Sequence, residues 1–149
     1  MTMEKELLEA KLNQLLRILS ETERWLAVPL ADFSQDTKLI RACQRNLQLL
    51  VEYASDINGI LILDSNEKVP GSYRESFTLV FGMEIASALS RIDRDALLGS
   101  VDWRNELIHE YEPGASHEVF YATFKESLVA YRHYAQAIHQ AVARQRDDW

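Results

Sequence analysis

Cysteine occurs once in the 149 residues, at Cys43, so no disulfide can form within the chain. A lone thiol among apolar neighbours suits a reducing compartment and reads as a small core residue. Glycine (5) and proline (3) are scarce, which argues against a turn-rich β architecture and for long, uninterrupted helices. No apolar run approaches the roughly 18 residues that a spanning helix needs. The acidic start of the chain lacks the apolar stretch of a signal peptide. The expected location is therefore cytoplasmic, with no membrane attachment. Positive charge is also in deficit, since 16 Lys and Arg against 23 Asp and Glu leave a net charge of −7. That argues against broad, long-range attraction to polyanions, so any contact with nucleic acid must rest on a local cluster of cations.

What is present suits a helical core. Apolar residues make up 47% of the chain and charged residues 26%, the balance of a globular protein rather than a disordered one. The length fits one domain, residues 1–149, able to bury roughly 68–70% of its unfolded surface. Leu8, Leu12, Leu15, Leu19, Thr22 and Leu26 recur at three- and four-residue steps, one face of a first helix that Pro29 ends. Asp32-Phe33-Ser34 offers cap chemistry for a second helix. That helix carries the most regular stripe in the chain: Leu39, Cys43, Leu47, Leu50, Ala54, Ile57 and Leu61. Glu52 and Asp56 share one of its faces and read as a solvated acidic edge.

A linker at 67–72 precedes a short helix through Tyr73, Phe77 and Val80, which Gly82 breaks or bends. A further helix is expected from about Glu84 to His109, carrying Ile85, Leu89 and Ile92, with a possible kink near Gly99 and a stop at Pro113-Gly114. Ser116 can cap the last helix, whose stripe is Phe120, Phe124, Leu128, Tyr131, Ala135, Ile138 and Val142, with a frayed tail at 144–149. Four long helices and a short one imply an all-α, up-and-down helical bundle.

Chemistry concentrates in Asp102-Trp103-Arg104-Asn105-Glu106-Leu107-Ile108-His109-Glu110-Tyr111. Asn105 and His109 are four residues apart, hence about 40° apart around a helix axis. Arg104 and His109 are five apart, hence about 140°. Either the long arginine stem wraps round, or a second copy of the helix supplies the partner, which would make a symmetric dimer with a composite site. An imidazole can take the proton from a ribose 2′-OH or give one to the leaving oxygen. A guanidinium matches phosphate oxygens and opposes the charge that grows in the transition state. The set therefore suits phosphodiester cleavage without metal, with Arg104, His109 and Asn105 as the catalytic candidates. The other histidines, His117, His133 and His139, have no metal-ligand spacing and read as solvated. No glycine-rich phosphate loop is present.

Arg104-Asn105, three residues, His109, one residue and Tyr111 resembles the R-N-x-x-x-H-x-Y signature of HepT proteins. These are the HEPN-domain ribonuclease toxins paired with minimal nucleotidyltransferase (MNT) antitoxins in type VII toxin–antitoxin systems. Ile40-Arg41-Ala42 leading into Arg45-Asn46-Leu47-Gln48, then Glu52 and Asp56-Ile57, is similar to the family's long second helix. Pro70-Gly71-Ser72-Tyr73-Arg74-Glu75-Ser76-Phe77 resembles its loop-to-helix junction, and the likeness runs from about Leu39 to Ile138.

The resemblance implies a HEPN-like, homodimeric bundle and a metal-independent endoribonuclease acting on mRNA or tRNA. Arg104 and His109 match the catalytic pair and Asn105 its polar companion. Tyr111 matches the tyrosine that the cognate nucleotidyltransferase modifies with AMP, using ATP and Mg²⁺, so cleavage itself would need no cofactor. Arg41 and Arg45 are the candidates for an RNA-binding wall, with Arg91 and Arg94 as second choices. A non-catalytic module, binding a nucleotide or docking the nucleotidyltransferase, is the alternative.

Overall fold

A computed structural model describes residues 2–65, 68–108 and 117–147. Six α-helices account for most of them: α1 (Thr2–Trp25), α2 (Leu30–Gln35), α3 (Thr37–Asp64), α4 (Tyr73–Phe81), α5 (Arg91–Ile108) and α6 (His117–Asp147). A 3-10 turn, Glu84–Ala86, lies between α4 and α5. Among the described residues there is no β-strand, and no helix is long and apolar enough to cross a membrane.

The four long helices run up and down, as the side-chain pairings show. Lys11 meets Asp56 and Thr22 meets Asn46, so α1 and α3 are antiparallel. Asp93 meets His133 and Trp103 meets Phe120, so α5 and α6 are antiparallel as well. The stripes read from spacing face inward: Leu15, Leu19, Cys43, Leu50, Ala54, Ile57 and Tyr131 are fully buried, and Phe120 and Phe124 nearly so. Burial pushes the Cys43 thiol up to about 12, so the group sits in the core as an inert apolar filler.

Thr22 fills its step in the first stripe by turning its hydroxyl inward. It donates to the carbonyl of Ile18 at 2.6 Å and accepts from Asn46 Nδ2 at 2.9 Å. Lys11 answers Asp56 at 3.2 Å, so the acidic edge of α3 is partly ion-paired rather than simply solvated.

Several boundaries depart from expectation. Pro29 does not merely end α1; it opens α2, where a missing backbone N–H costs nothing. Asp32-Phe33-Ser34 lies inside α2 and caps nothing. The cap of α3 is Asp36, whose side chain accepts the Leu39 N–H at 3.0 Å. α2 brings Phe33 wholly into the core, 5.1 Å from the Tyr121 ring, while the Tyr121 hydroxyl ties the Val28 carbonyl at 2.6 Å.

The helix expected from Glu84 is broken before it starts. The Ser90 hydroxyl accepts the Asp93 N–H at 3.0 Å, and the Asp93 carboxylate accepts the Ser90 N–H at 3.3 Å. This reciprocal cap restarts the chain as α5 and fixes a new register. Ile92 is consequently 81% exposed, while Asp93, Leu97, Ser100 and Val101 turn inward. No break occurs at Gly99, and α5 continues to Ile108. α6 extends through 144–147, into the segment expected to fray. His109, Tyr111, Pro113-Gly114 and Ser116 lie outside the described residues, as do Glu67 and the last two residues.

Candidate functional site

α5 converts its buried row into a polar site in its last turns. Leu97, Ser100 and Val101 face the core, and three to seven residues further on the same side comes Arg104. The row is anchored just before that point, where the Ser100 and Tyr131 hydroxyls share a hydrogen bond of 2.7 Å in the interior. Desolvation pushes the Tyr131 phenol well up, only partly countered by the Ser100 bond, so it acts as a neutral strut. Trp103 packs edge-on to Phe120 at 5.3 Å, a core contact.

Half-buried Arg104 leaves the helix toward α4. Its guanidinium carbon lies 4.4 Å from the centroid of the Tyr73 ring, within cation–π range. Nη2 donates to the Tyr73 hydroxyl at 3.4 Å and Nη1 to Asn105 Oδ1 at 3.3 Å. Nε is buried with no acceptor among the described residues. The described partners of Arg104 are thus neutral.

Beside it opens a cleft of about 410 Å³ lined by Ser55, Pro70, Ser72, Tyr73, Arg74 and Asn105, among others. That volume falls in the range of about 300–1,000 Å³ typical of small-ligand sites. Arg74 at its rim pairs with Asp102 at 3.2 Å, both side chains well exposed. In such a setting an ion pair is worth about 0–1 kcal/mol. Among the described residues no cluster of three His, Cys, Asp or Glu side chains could hold a metal ion.

The predicted residues separate into three groups. Arg104 and Asn105 come together, as the motif implies. Arg41 and Arg45 are exposed on the first third of α3, Arg45 bonding Gln48 at 3.3 Å. At 1.5 Å of rise per residue they lie about 21 and 15 Å along the axis from Ser55, the α3 residue of the cleft. Arg91 and Arg94 are at the far end of α5; Arg91 approaches Asp95 at 3.9 Å, and Arg94 bonds the Ala86 carbonyl and lies over Phe81. None of these four lines the cleft. His109 and Tyr111 lie beyond the described part of α5.

Sequence spacing missed Tyr73 and Arg74, which sit about thirty residues before their partners and read as the start of an ordinary helix. His133 is exposed, as its reading as solvated expects, but spacing did not reveal its partner on α5. Its Nδ1 meets both carboxylate oxygens of Asp93 at 2.9 and 3.0 Å. His117 and His139 are exposed as expected.

The chain matches the family model described as "Ribonuclease HepT-like" over residues 15–138. No protein of curated function matches it by sequence. Solved structures with the same fold include a toxin–antitoxin structure with AMP-PNP, at TM-score 0.76 and 20% identity, covering 91% of this chain and 98% of that one. A tri-AMPylated HEPN toxin of Shewanella oneidensis, in complex with its MNT antitoxin, aligns at TM-score 0.73 and 22% identity, covering 89% and 96%. YutE, a cytosolic protein of Bacillus subtilis, aligns at 0.66 and 20% identity, covering 89% and 91%. At these identities the structures establish a shared HEPN-like all-α fold, and the family match spans most of the chain. The chain belongs to the HepT-like ribonuclease family.

Proposed function

We propose that this protein is the toxin of a toxin–antitoxin pair, a metal-independent endoribonuclease whose site pairs Arg104 with His109. The observation that carries this reading is the presentation of Arg104. The residue is half-buried, its guanidinium is held by neutral groups among the described residues and set beside an open cleft, and Asn105 of the same R-N-x-x-x-H-x-Y motif lines that cleft. A cation so placed is available to a phosphate.

In the proposed reaction a ribose 2′-oxygen attacks the adjacent phosphorus and the P–O5′ bond breaks. Imidazole takes the 2′ proton and returns a proton to the departing 5′ oxygen. Arg104 opposes the charge gathering on the non-bridging oxygens. Because Arg104 lies toward α4 of its own chain, a second protomer is the proposed source of the facing histidine, so that two motifs on a two-fold axis complete one cleft. Whole-chain residues 1–149 would act as this single unit.

The AMPylated HEPN toxin among the structural relatives suggests the control. In this reading a partner nucleotidyltransferase joins the Tyr111 oxygen to the α-phosphorus of ATP, with Mg²⁺, and pyrophosphate leaves. The added phosphate brings negative charge and bulk beside the motif, competes for Arg104 and repels RNA.

The test is cleavage of RNA by purified full-length protein in EDTA. Wild type should cut. Arg104→Ala and His109→Ala should lose at least about 100-fold, the scale of losing a charge-stabilising or proton-transferring group, with helical content unchanged. No cleavage by wild type, together with a stable complex with the nucleotidyltransferase, would instead support the binding-module reading.

A further inference from the structure

We infer that Tyr73 is a positioning residue for Arg104, a platform that fixes the guanidinium beside the cleft that Tyr73 itself lines, without neutralising it. The inference rests on the nuclease reading above and adds a residue outside the motif.

Arginine brings several rotatable bonds to a site, and a guanidinium free to wander would lose the orientation that phosphate recognition needs. Two devices could restrain it. A carboxylate would hold it but also occupy its donors and offset its charge. An aromatic face holds it by its quadrupole and leaves the charge in place. The described structure uses the second, with the Tyr73 ring 4.4 Å below the guanidinium carbon and the phenol oxygen 3.4 Å from Nη2. The nearby carboxylate of Asp102 is engaged by Arg74 instead.

A platform is useful only if it is itself fixed, and Tyr73 is tied into the core by a chain of buried polar groups. The Tyr73 carbonyl accepts from Ser76 Oγ at 2.7 Å, and Ser76 Oγ accepts from Asn58 Nδ2 at 3.2 Å. Asn58 Oδ1 in turn accepts from the Tyr134 hydroxyl at 2.5 Å, which also meets the Ala54 carbonyl at 3.1 Å. Ser76 and Asn58 are fully buried and Tyr134 almost so. This run crosses from α6 through α3 to the first turn of α4. Such a polar chain in a packed interior has one satisfied arrangement. From the other side, Ser100 and Tyr131 fix α5 one turn before Arg104. Both halves of the contact are therefore mounted on rigid supports.

The experiment measures RNA cleavage in EDTA, resolving kcat and KM, for full-length Tyr73→Phe and Tyr73→Leu and for the same changes made on Arg104→Lys. Tyr73→Phe keeps the ring and should stay within about threefold of wild type, as expected for losing one long hydrogen bond. Tyr73→Leu should lower kcat about 10- to 100-fold, the scale of a misplaced catalytic group, with KM changed little. On Arg104→Lys, Tyr73→Leu should add almost nothing, because the group it positions is already gone.

A folded Tyr73→Leu as fast as wild type would overturn the inference, as would an undiminished loss on Arg104→Lys, which marks a merely structural role. Should Tyr73→Leu fail to fold, the Arg104 Nε–H resonance of wild type decides. A ring-current shift retained in Tyr73→Phe supports the platform, and an unshifted resonance rejects it. A wild type that cuts no RNA overturns the nuclease reading itself, whereas a cutting wild type with an indifferent Tyr73 overturns only the role given to Tyr73.

Discussion

Asp93 shows how one side chain can serve two neighbours. Only 7% exposed, it closes the cap at the start of α5 and also receives His133 from α6. Burial pushes its carboxyl up, but the bond from His133 and those from Ser90 outweigh that, so on balance it is held below the ordinary carboxylate value. A depressed acid stabilises the fold at pH above its unfolded value, about 3.9, and that contribution is lost as pH falls through the folded value. In urea titrations, wild type should therefore exceed Asp93→Asn in stability near neutral pH, with the gap closing as the pH drops below about 4. An unchanged gap down to pH 3 would mean that the carboxylate charge contributes nothing.

The elements differ in how openly the chain announces them. α1, α3 and α6 are legible because their apolar rows repeat regularly and are buried as spaced, except at the ends of α3, where Leu39 and Leu61 are half-buried and Ile40 and Ile62 enter the core. α5 was misread because its start depends on Ser90 and Asp93, two polar residues that look like surface until they bond each other. Extending the pattern back to Glu84 placed Ile92 on the core face, whereas the cap turns it outward. Pro29 was read as a stop because its steric effect on the preceding residue is the stronger prior, yet the same ring suits a helix start. Ser90→Ala should cost about 1 kcal/mol, the usual value of a lost cap, seen as a lower urea midpoint at unchanged slope. A cost near zero would place the restart of α5 in its packing alone.

At the scale of the molecule, the candidate site is half legible. Arg104-Asn105 and His109-x-Tyr111 stand out because chemistry-bearing groups crowd into two turns. The supports do not stand out, because Tyr73 and Arg74 join them only through tertiary packing of α4 on α5. The RNA-binding wall expected on Arg41 and Arg45 is a separate surface from the cleft. Helix rise carries those residues away from the cleft, and Arg74 is the cation that packing brings to its rim.

A net charge of −7 leaves little long-range attraction for RNA, so the proposed chemistry must draw on these few local cations. The most direct measurement is the chemistry of the cut ends, read by mass spectrometry on RNA digested by the full-length protein in EDTA. Attack by the 2′-oxygen, promoted by imidazole and guanidinium, predicts 2′,3′-cyclic phosphate and 5′-hydroxyl ends from wild type and none from His109→Ala. Ends bearing 3′-hydroxyl and 5′-phosphate, or cutting that persists in His109→Ala, would contradict it.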